Sequence, residues 1–389
     1  MLCHLLYLLA MQTEVVIVGA GPSGLATAAC LNVLAIPYVV LEKDTCSASM
    51  WKLRTYDRLQ LHLAKRFCEL PHMPIPRNAP TFLLKTQFIQ YLDAYVERFN
   101  INPVYSTDVQ LASYDEASKT WRVMARNALT DQVEEYRSRF LVVASGENCD
   151  GFIPDLPGLQ SFSGEILHSS SYKSGRPYTN KSVLVVGSGN SGMEIAYDLA
   201  EHEARTSIVI NSPIHVVTQE MICMAMVMLG CLPASVVDAL VVLLAKFKYG
   251  DLSKYGIVRP SLGPMRLKAV TGRSSVIDVG TVEKIKTGEI KVVKGITNIR
   301  ENEVEFADGK SYQFDAIVFA TGFRTNPRKW LQDADSFLGE EGYPREKFPN
   351  HWKGRNDLYF VGFARSGLAA CSRDAQNTAD DIAKKRTVS

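Results

Sequence analysis

The chain of 389 residues has no C-x-x-C pair, no H-E-x-x-H and no extended tract of Lys or Arg. Each absence removes a class of function. The eight cysteines (3, 30, 46, 68, 149, 223, 231 and 371) never meet the spacing of a zinc ribbon or a dithiol redox centre. They read as thiols of a reducing compartment. Seven scattered histidines suggest no metal site, and a formal charge of +2 offers no basic face for nucleic acid. No uninterrupted apolar run reaches the about 20 residues of a membrane-spanning helix. Residues 1–10 are apolar but short, and lack the basic residues that open a secretory signal. They read as an extension before a start near Met11, with a weak membrane-surface anchor as the alternative. Hydrophobic residues at 46% and charged residues at 22% are those of a globular chain long enough for two domains.

What the chain does have is one glycine pattern, used twice. Gly19-Ala20-Gly21-Pro22-Ser23-Gly24 follows Val15-Val16-Ile17-Val18, and Gly187-Ser188-Gly189-Asn190-Ser191-Gly192 follows Val183-Leu184-Val185-Val186. Both obey G-x-G-x-x-G between a β-branched strand and a helix-like segment. The first glycine makes a tight turn, and the second lets backbone approach a pyrophosphate. The third packs helix against strand, with the phosphates at the helix N-terminus. Two such units imply two dinucleotides on one chain, and their usual physical use is redox transfer between nicotinamide and flavin. Glu42 ends the strand Tyr38–Leu41, eighteen positions after Gly24. A carboxylate there accepts hydrogen bonds from a ribose.

The remaining signals give an insertion architecture. A helix is expected over 22–34 and another over 81–99, with strands at 121–124 and 140–143 running into the small-residue turn Ala144-Ser145-Gly146-Glu147-Asn148. Asp308-Gly309 marks a hairpin. A buried strand, 316–319, ends in Ala320-Thr321-Gly322, strand 358–361 enters Gly362, and a terminal helix starts near Asp374. The expectation is an α/β fold with two Rossmann-like dinucleotide-binding domains, the second inserted into the first. Residues 11–160 and 290–389 form one and 161–289 the other. The apolar stretch 221–247 reads as two short helices broken by Pro233 and Asp238, covering the inserted domain or a channel. A membrane-touching patch is the alternative.

Phe162-Ser163-Gly164-Glu165-Ile166-Leu167-His168-Ser169-Ser170-Ser171-Tyr172 matches F-x-G-x-x-x-H-x-x-x-Y, the signature of class B flavin monooxygenases. The related Baeyer–Villiger group ends this pattern in Trp-Pro, where this chain has Tyr172-Lys173. Ala320-Thr321-Gly322 recurs in the same family. Trp51 to Leu63, Phe67 to Pro74 and Tyr255 to Pro260 resemble the plant YUCCA flavin monooxygenases, and the resemblance runs over nearly the whole chain from Met11.

That resemblance implies FAD, NADPH and O₂, with the NADPH domain inserted into the FAD domain. It implies oxidative decarboxylation of a 2-oxo acid, indole-3-pyruvate, to indole-3-acetic acid, the last step of auxin synthesis. A C4a-(hydro)peroxyflavin shielded from water would carry the oxygen. FAD then falls on Gly19, Gly21, Pro22, Ser23, Gly24 and Glu42, with Trp51, Leu61, Thr321 and Gly322 as further cofactor contacts. NADPH falls on Gly187, Ser188, Gly189, Asn190, Ser191 and Gly192. His62 stands where animal relatives carry Asn near the flavin, placed to donate a hydrogen bond; a merely packed imidazole is the alternative. Lys65 and Asn148 are further candidates for polar contacts in the pocket. Of the signature residues Phe162, Gly164, His168 and Tyr172, His168 looks catalytic, yet a structural role between the domains is the preferred reading. One departure concerns Asn211, where relatives carry an Arg for the adenosine 2′-phosphate. Asn offers neutral donors only, while the lack of an acidic residue there still favours NADPH.

A cytoplasmic enzyme is expected, with the cytosolic face of the endoplasmic reticulum as the alternative and oligomeric state left open. The other functional readings are an N- or S-oxygenating monooxygenase and a catalytically impaired flavoprotein. A disulfide reductase lacks its C-x-x-C.

Overall fold

The computed structural model describes residues 10–387. The expectation for residues 1–10 lies, apart from Ala10, outside them. The chain forms two compact units: one holds residues up to Leu53, Lys65–Asp150 and Phe323 onward, and the other holds Arg54–Ala64 and Gly151–Gly322.

In the first unit, strands run in the order Tyr38–Leu41, Met11–Val18, Val133–Val143, Thr120–Asn127 and Thr107–Asp115. The first three are parallel and the last two antiparallel; Leu358–Phe360 joins Val133–Val143 in parallel. Val15, Val16 and Ile17 are wholly buried, as a parallel strand covered on both faces requires. The helix Pro22–Val33 buries a run of small residues, Ser23, Gly24, Ala26, Thr27, Ala28 and Ala29. Their size lets it approach its neighbours closely, and it packs against the terminal helix Leu368–Thr387. That helix begins six residues before the expected start at Asp374.

The second unit is built on five parallel strands in the order Ile290–Val293, Arg205–Val209, Ser182–Val186, Ala316–Phe319 and Glu165–His168. Ala316–Phe319 hydrogen-bonds to a strand on either side. Residues 290–322 therefore go with this unit, and the boundary expected near 290 falls at 322 instead. The hairpin at Asp308-Gly309 is present, with Glu303–Phe306 antiparallel to Ser311–Gln313 and Gly309 at φ +76°.

The apolar stretch forms two helices, Gln219–Met228 and Ala234–Tyr249. Pro233 precedes the second as expected, but Asp238 does not break it. Its buried carboxylate accepts hydrogen bonds from Met265 N at 2.7 Å and Arg266 N at 3.2 Å. Those are orphan amides of the helix Pro264–Thr271, so a charged residue inside an apolar helix serves as another helix's cap. Leu243 and Phe247 on the same helix stand exposed. No helix among the described residues is long and apolar enough to cross a membrane.

Candidate functional site

The two glycine turns are geometric copies. Gly19 and Gly187 have φ of +107° and +113°, a region closed to most side chains. A Cβ on them would lie 2.7 Å from Ala144 O and 2.4 Å from Ala320 O. Gly24 and Gly192 each approach the first glycine of their own turn so closely that a Cβ would lie 1.9 Å from its carbonyl oxygen. The middle glycines differ in kind. At Gly21 and Gly189, which begin Pro22–Val33 and Asn190–Glu201, a Cβ would meet no atom within 4 Å, and neither helix start has a side-chain cap. Free amides, the positive end of the helix dipole and open space a side chain would fill suit an anionic phosphate. The copying extends to the next parallel strand of each sheet. Ala144-Ser145-Gly146 and Ala320-Thr321-Gly322 follow it, and Gly146 and Gly322 share a φ of +89°.

In the first unit Glu42 is buried beside the turn. Its Oε2 accepts from Ala20 N at 2.6 Å, and Oε1 accepts from Asp44 N at 3.0 Å and the Ser49 hydroxyl at 3.4 Å. Burial pushes its carboxyl above the ordinary carboxylate range, partly offset by those backbone donors. Ser23 contacts Cys371 Sγ at 3.2 Å, and Gly362 lies so near that a Cβ there would be 2.1 Å from Ser23 Oγ. Asp374 Oδ2 accepts from Gly362 N at 3.1 Å and faces His351 Nε2 at 3.1 Å. Sequence reading assigned Gly362, Cys371 and Asp374 no part in the site. They come from the far end of the chain, and only the sheet brings them to the turn. Trp51 packs edge-on against Phe88 with centroids 4.7 Å apart. Asn148 is exposed. The Lys65 ammonium donates to three carbonyls, Pro76 O at 3.0 Å, Arg77 O at 2.8 Å and Ala79 O at 2.5 Å. All three of its hydrogens are used to tie down that loop.

In the second unit the signature residues form a scaffold. Phe162 is buried with Leu184, Val186, Phe306 and Phe314, and a Cβ on Gly164 would sit 2.4 Å from Asp315 O. His168 accepts at Nδ1 from Ser170 N at 3.2 Å, while Nε2 donates to Gly322 O at 2.9 Å. Its ring also lies against Gly151, where a Cβ would be 2.4 Å from Nδ1. The imidazole is neutral in this arrangement, and desolvation holds its pKa below the ordinary histidine value. All these partners belong to its own unit. Thr321 donates to Phe152 O. Asn190 Oδ1 accepts from Ile277 N at 2.7 Å, Ser191 hydrogen-bonds the Tyr56 hydroxyl, and Ser188 is half-buried. Asn211 is exposed just past Arg205–Val209, with its amide 3.0 Å from where a Cβ of Gly295 would stand.

The segment 54–64 is fastened to the helix Asn190–Glu201 by two buried acids one turn apart. The Tyr56 hydroxyl donates to Glu194 Oε2 at 2.7 Å, and His62 Nε2 lies 3.6 Å from the same oxygen. Asp198 Oδ2 accepts from the Tyr172 hydroxyl at 2.7 Å and Gly175 N at 2.8 Å, and Arg58 stands 3.8 Å from its other oxygen. Gln219 Nε2 donates to Leu61 O at 3.1 Å, and Leu61 is buried. Glu194 and Asp198 were not picked out from sequence. Both are buried on a helix whose other buried residues, Gly192, Met193, Ile195, Ala196 and Leu199, are apolar, a signal visible only once that helix is placed. Among the described residues no group of His, Cys, Asp and Glu could hold a metal ion.

A family profile described as pyridine nucleotide-disulphide oxidoreductase matches residues 16–221. The chain is 53% identical over 373 residues to the probable indole-3-pyruvate monooxygenase YUCCA10 of Arabidopsis thaliana, spanning 96% of this chain and 97% of that protein. With the indole-3-pyruvate monooxygenase YUCCA1 of Oryza sativa subsp. japonica it shares 46% over 372 residues, covering 94% and 90%. Among solved structures, a flavin-containing monooxygenase from Stenotrophomonas maltophilia matches with a TM-score of 0.72 at 19% identity, covering 97% of this chain and 99% of that one. Cyclohexanone monooxygenase from Rhodococcus sp. Phi1 bound to NADP⁺ gives 0.75 at 17%, covering 97% and 85%. At such identities the structural matches speak to the fold: two Rossmann-type domains of the flavin monooxygenase kind. With its doubled glycine turns, its signature scaffold and these near full-length relatives, the chain belongs to the YUCCA family of indole-3-pyruvate monooxygenases.

Proposed function

We propose that this chain binds FAD in its first unit and NADPH in its second. In this reading it converts indole-3-pyruvate, NADPH, O₂ and a proton to indole-3-acetic acid, CO₂, water and NADP⁺. The observation that supports two cofactors is the pair of open Cβ positions at Gly21 and Gly189, each heading an uncapped helix. When bound, the flavin would supply two-electron redox chemistry with the reduced nicotinamide and O₂.

The protein's part is to hold, orient and shield. Gly19–Gly24 and the start of Pro22–Val33 would hold one pyrophosphate, with Glu42 accepting from the ribose hydroxyls through its remaining lone pairs. Gly187–Gly192 and the start of Asn190–Glu201 would hold the other, and Asn211 would face the 2′-phosphate. By the family resemblance Trp51, Leu61, Thr321 and Gly322 would be flavin contacts, and His62 would hold a proton toward the reacting oxygen. Asn148 would add a polar contact. The exposed, uncharged amide of Asn211 supports a second reading, a flavoprotein with impaired nicotinamide binding.

The test is purification with a flavin spectrum, then product analysis with NADPH and indole-3-pyruvate, phenylpyruvate or a thioether. Indole-3-acetic acid with matched NADPH consumption is expected. Oxidation of the thioether with the 2-oxo acids untouched would overturn the substrate assignment. A yellow protein that NADPH fails to reduce would establish the second reading.

A further inference from the structure

We propose that Glu194 is the positioning residue for His62: it fixes which ring nitrogen carries the hydrogen, and so which face His62 presents. The inference rests on the proposed role of His62 beside the flavin. Glu194 is buried, and its Oε2 has two neighbours, the Tyr56 hydroxyl at 2.7 Å and His62 Nε2 at 3.6 Å. The tyrosine hydroxyl donates, so that oxygen is an acceptor. A bare Nε2 lone pair would point at the same electron-rich oxygen and be repelled. A hydrogen on Nε2 turns that repulsion into attraction, and at 3.6 Å the attraction is charge–dipole or charge–charge in kind, not a short hydrogen bond. Nδ1 is then left over as the working atom. In the neutral ring it is an acceptor, so the proton that His62 would hold toward the reacting oxygen is the second one, carried at Nδ1 by the charged ring.

The anchoring of the neighbourhood makes this orientation specific. His62 lies on a segment pinned at four other places: Tyr56 to Glu194, Asp57 N to Lys173 O at 2.9 Å, Arg58 beside Asp198, and Leu61 O to Gln219. Glu194 in turn is in the second turn of the helix whose first residues follow Gly189. One rigid helix thus carries both the phosphate-facing amides at its start and the acid that aims His62. The two placements are set by a single element, and the acid would do its work through the imidazole without touching a cofactor.

The test uses the holoprotein and variants Glu194→Gln, Glu194→Asp, Tyr56→Phe and His62→Gln. Long-range ¹⁵N–¹H ring spectra, with His62 identified by its loss in His62→Gln, report the tautomer directly. We expect Nε2–H in the wild type and in Tyr56→Phe, and a mixture of tautomers in Glu194→Gln, whose amide serves either as donor or as acceptor. Glu194→Asp keeps the charge and should keep Nε2–H, so it serves if the glutamine variant loses its flavin. An Nδ1–H tautomer in the wild type, or an unchanged spectrum in Glu194→Gln, would overturn the proposal. The second readout is product formed against H₂O₂ released per NADPH oxidised. The ratio should fall in Glu194→Gln, by roughly twofold where the two tautomers become equally populated. It should fall at least as far in His62→Gln, and the double variant should match His62→Gln. Additive losses would overturn the link between the two residues. A shifted tautomer with normal coupling in His62→Gln would leave the positioning intact and remove His62 from the chemistry.

Discussion

The Tyr172 hydroxyl donates to Asp198 Oδ2 at 2.7 Å inside the second unit, with the tyrosine ring stacked on Tyr178 at a centroid distance of 6.1 Å. A carboxylate removed from water gains one of its few donors there, and the same oxygen takes Gly175 N. Tyr172→Phe should therefore lower stability by about 1.5–3 kcal/mol, the range for a buried hydrogen bond to a charged group. The melting temperature should drop while flavin content stays near one per chain. A variant with unchanged melting but lost turnover would make Tyr172 a participant in the chemistry instead.

The glycines of each turn should separate by position. Gly21→Ala and Gly189→Ala meet open space, so both proteins should fold. The first should come through gel filtration colourless, because its methyl would fill the open space proposed for the flavin dinucleotide's pyrophosphate. The second should stay yellow but resist reduction by NADPH. Equal flavin loss in both would refute the division of the two sites. Gly24→Ala and Gly192→Ala place a Cβ 1.9 Å from backbone and should compromise the fold itself, seen as insoluble protein.

Asn211→Arg tests the departure at the second site. A guanidinium facing the 2′-phosphate should add about 1.5–3 kcal/mol of binding. NADPH affinity should then rise roughly tenfold or more, with little change for NADH. The measurement is flavin reduction rate against the concentration of each nucleotide. A matching gain with NADH would show that the arginine acts on the shared pyrophosphate.

Acid should loosen the second unit through its histidines. Desolvation depresses the pKa of His168 and of His215, so both are neutral in the fold. The unfolded chain takes up these protons below about pH 6.5. Their stabilisation is thus full above that pH and is lost as pH falls through the depressed folded values. Between about pH 7 and about pH 5 the melting temperature should fall less in His168→Gln, which has no proton to gain there. An identical slope in wild type and variant would show that His168 keeps its proton balance on unfolding.

How far the sequence could be read follows from the reach of each determinant. The glycine turns were legible because their constraints lie within six residues: a positive φ, an open helix start and a close carbonyl. Glu42 followed from its offset to Gly24, and the signature from its spacing. Asp238 was misread because a charge in an apolar run looks like an interruption, and the amides it caps lie more than twenty-five residues on. Lys65 presented a free cation on paper, while its carbonyl partners depend on how the loop around Pro76 to Ala79 folds back. The boundary near 290 was misplaced because hydrophobic pattern marks Ala316–Phe319 as a buried strand without naming the sheet that buries it. Glu194, Asp198 and Asp374 act through partners distant in sequence.

The division of the first unit among separate stretches also bears on the order in which the protein takes shape during synthesis. Domains form as units once their parts have left the ribosome. The second unit has all its strands by Gly322, and its detached piece, Arg54–Ala64, has been made long before. The first must wait for Leu358–Phe360 to complete its sheet and for Leu368–Thr387 to cover Pro22–Val33. Until then Pro22–Val33 lacks its cover, and Ser23 lacks Gly362 and Cys371. A stalled or shortened chain should therefore contain a finished second unit beside an unfinished first one, exposed to proteases and unable to retain its flavin.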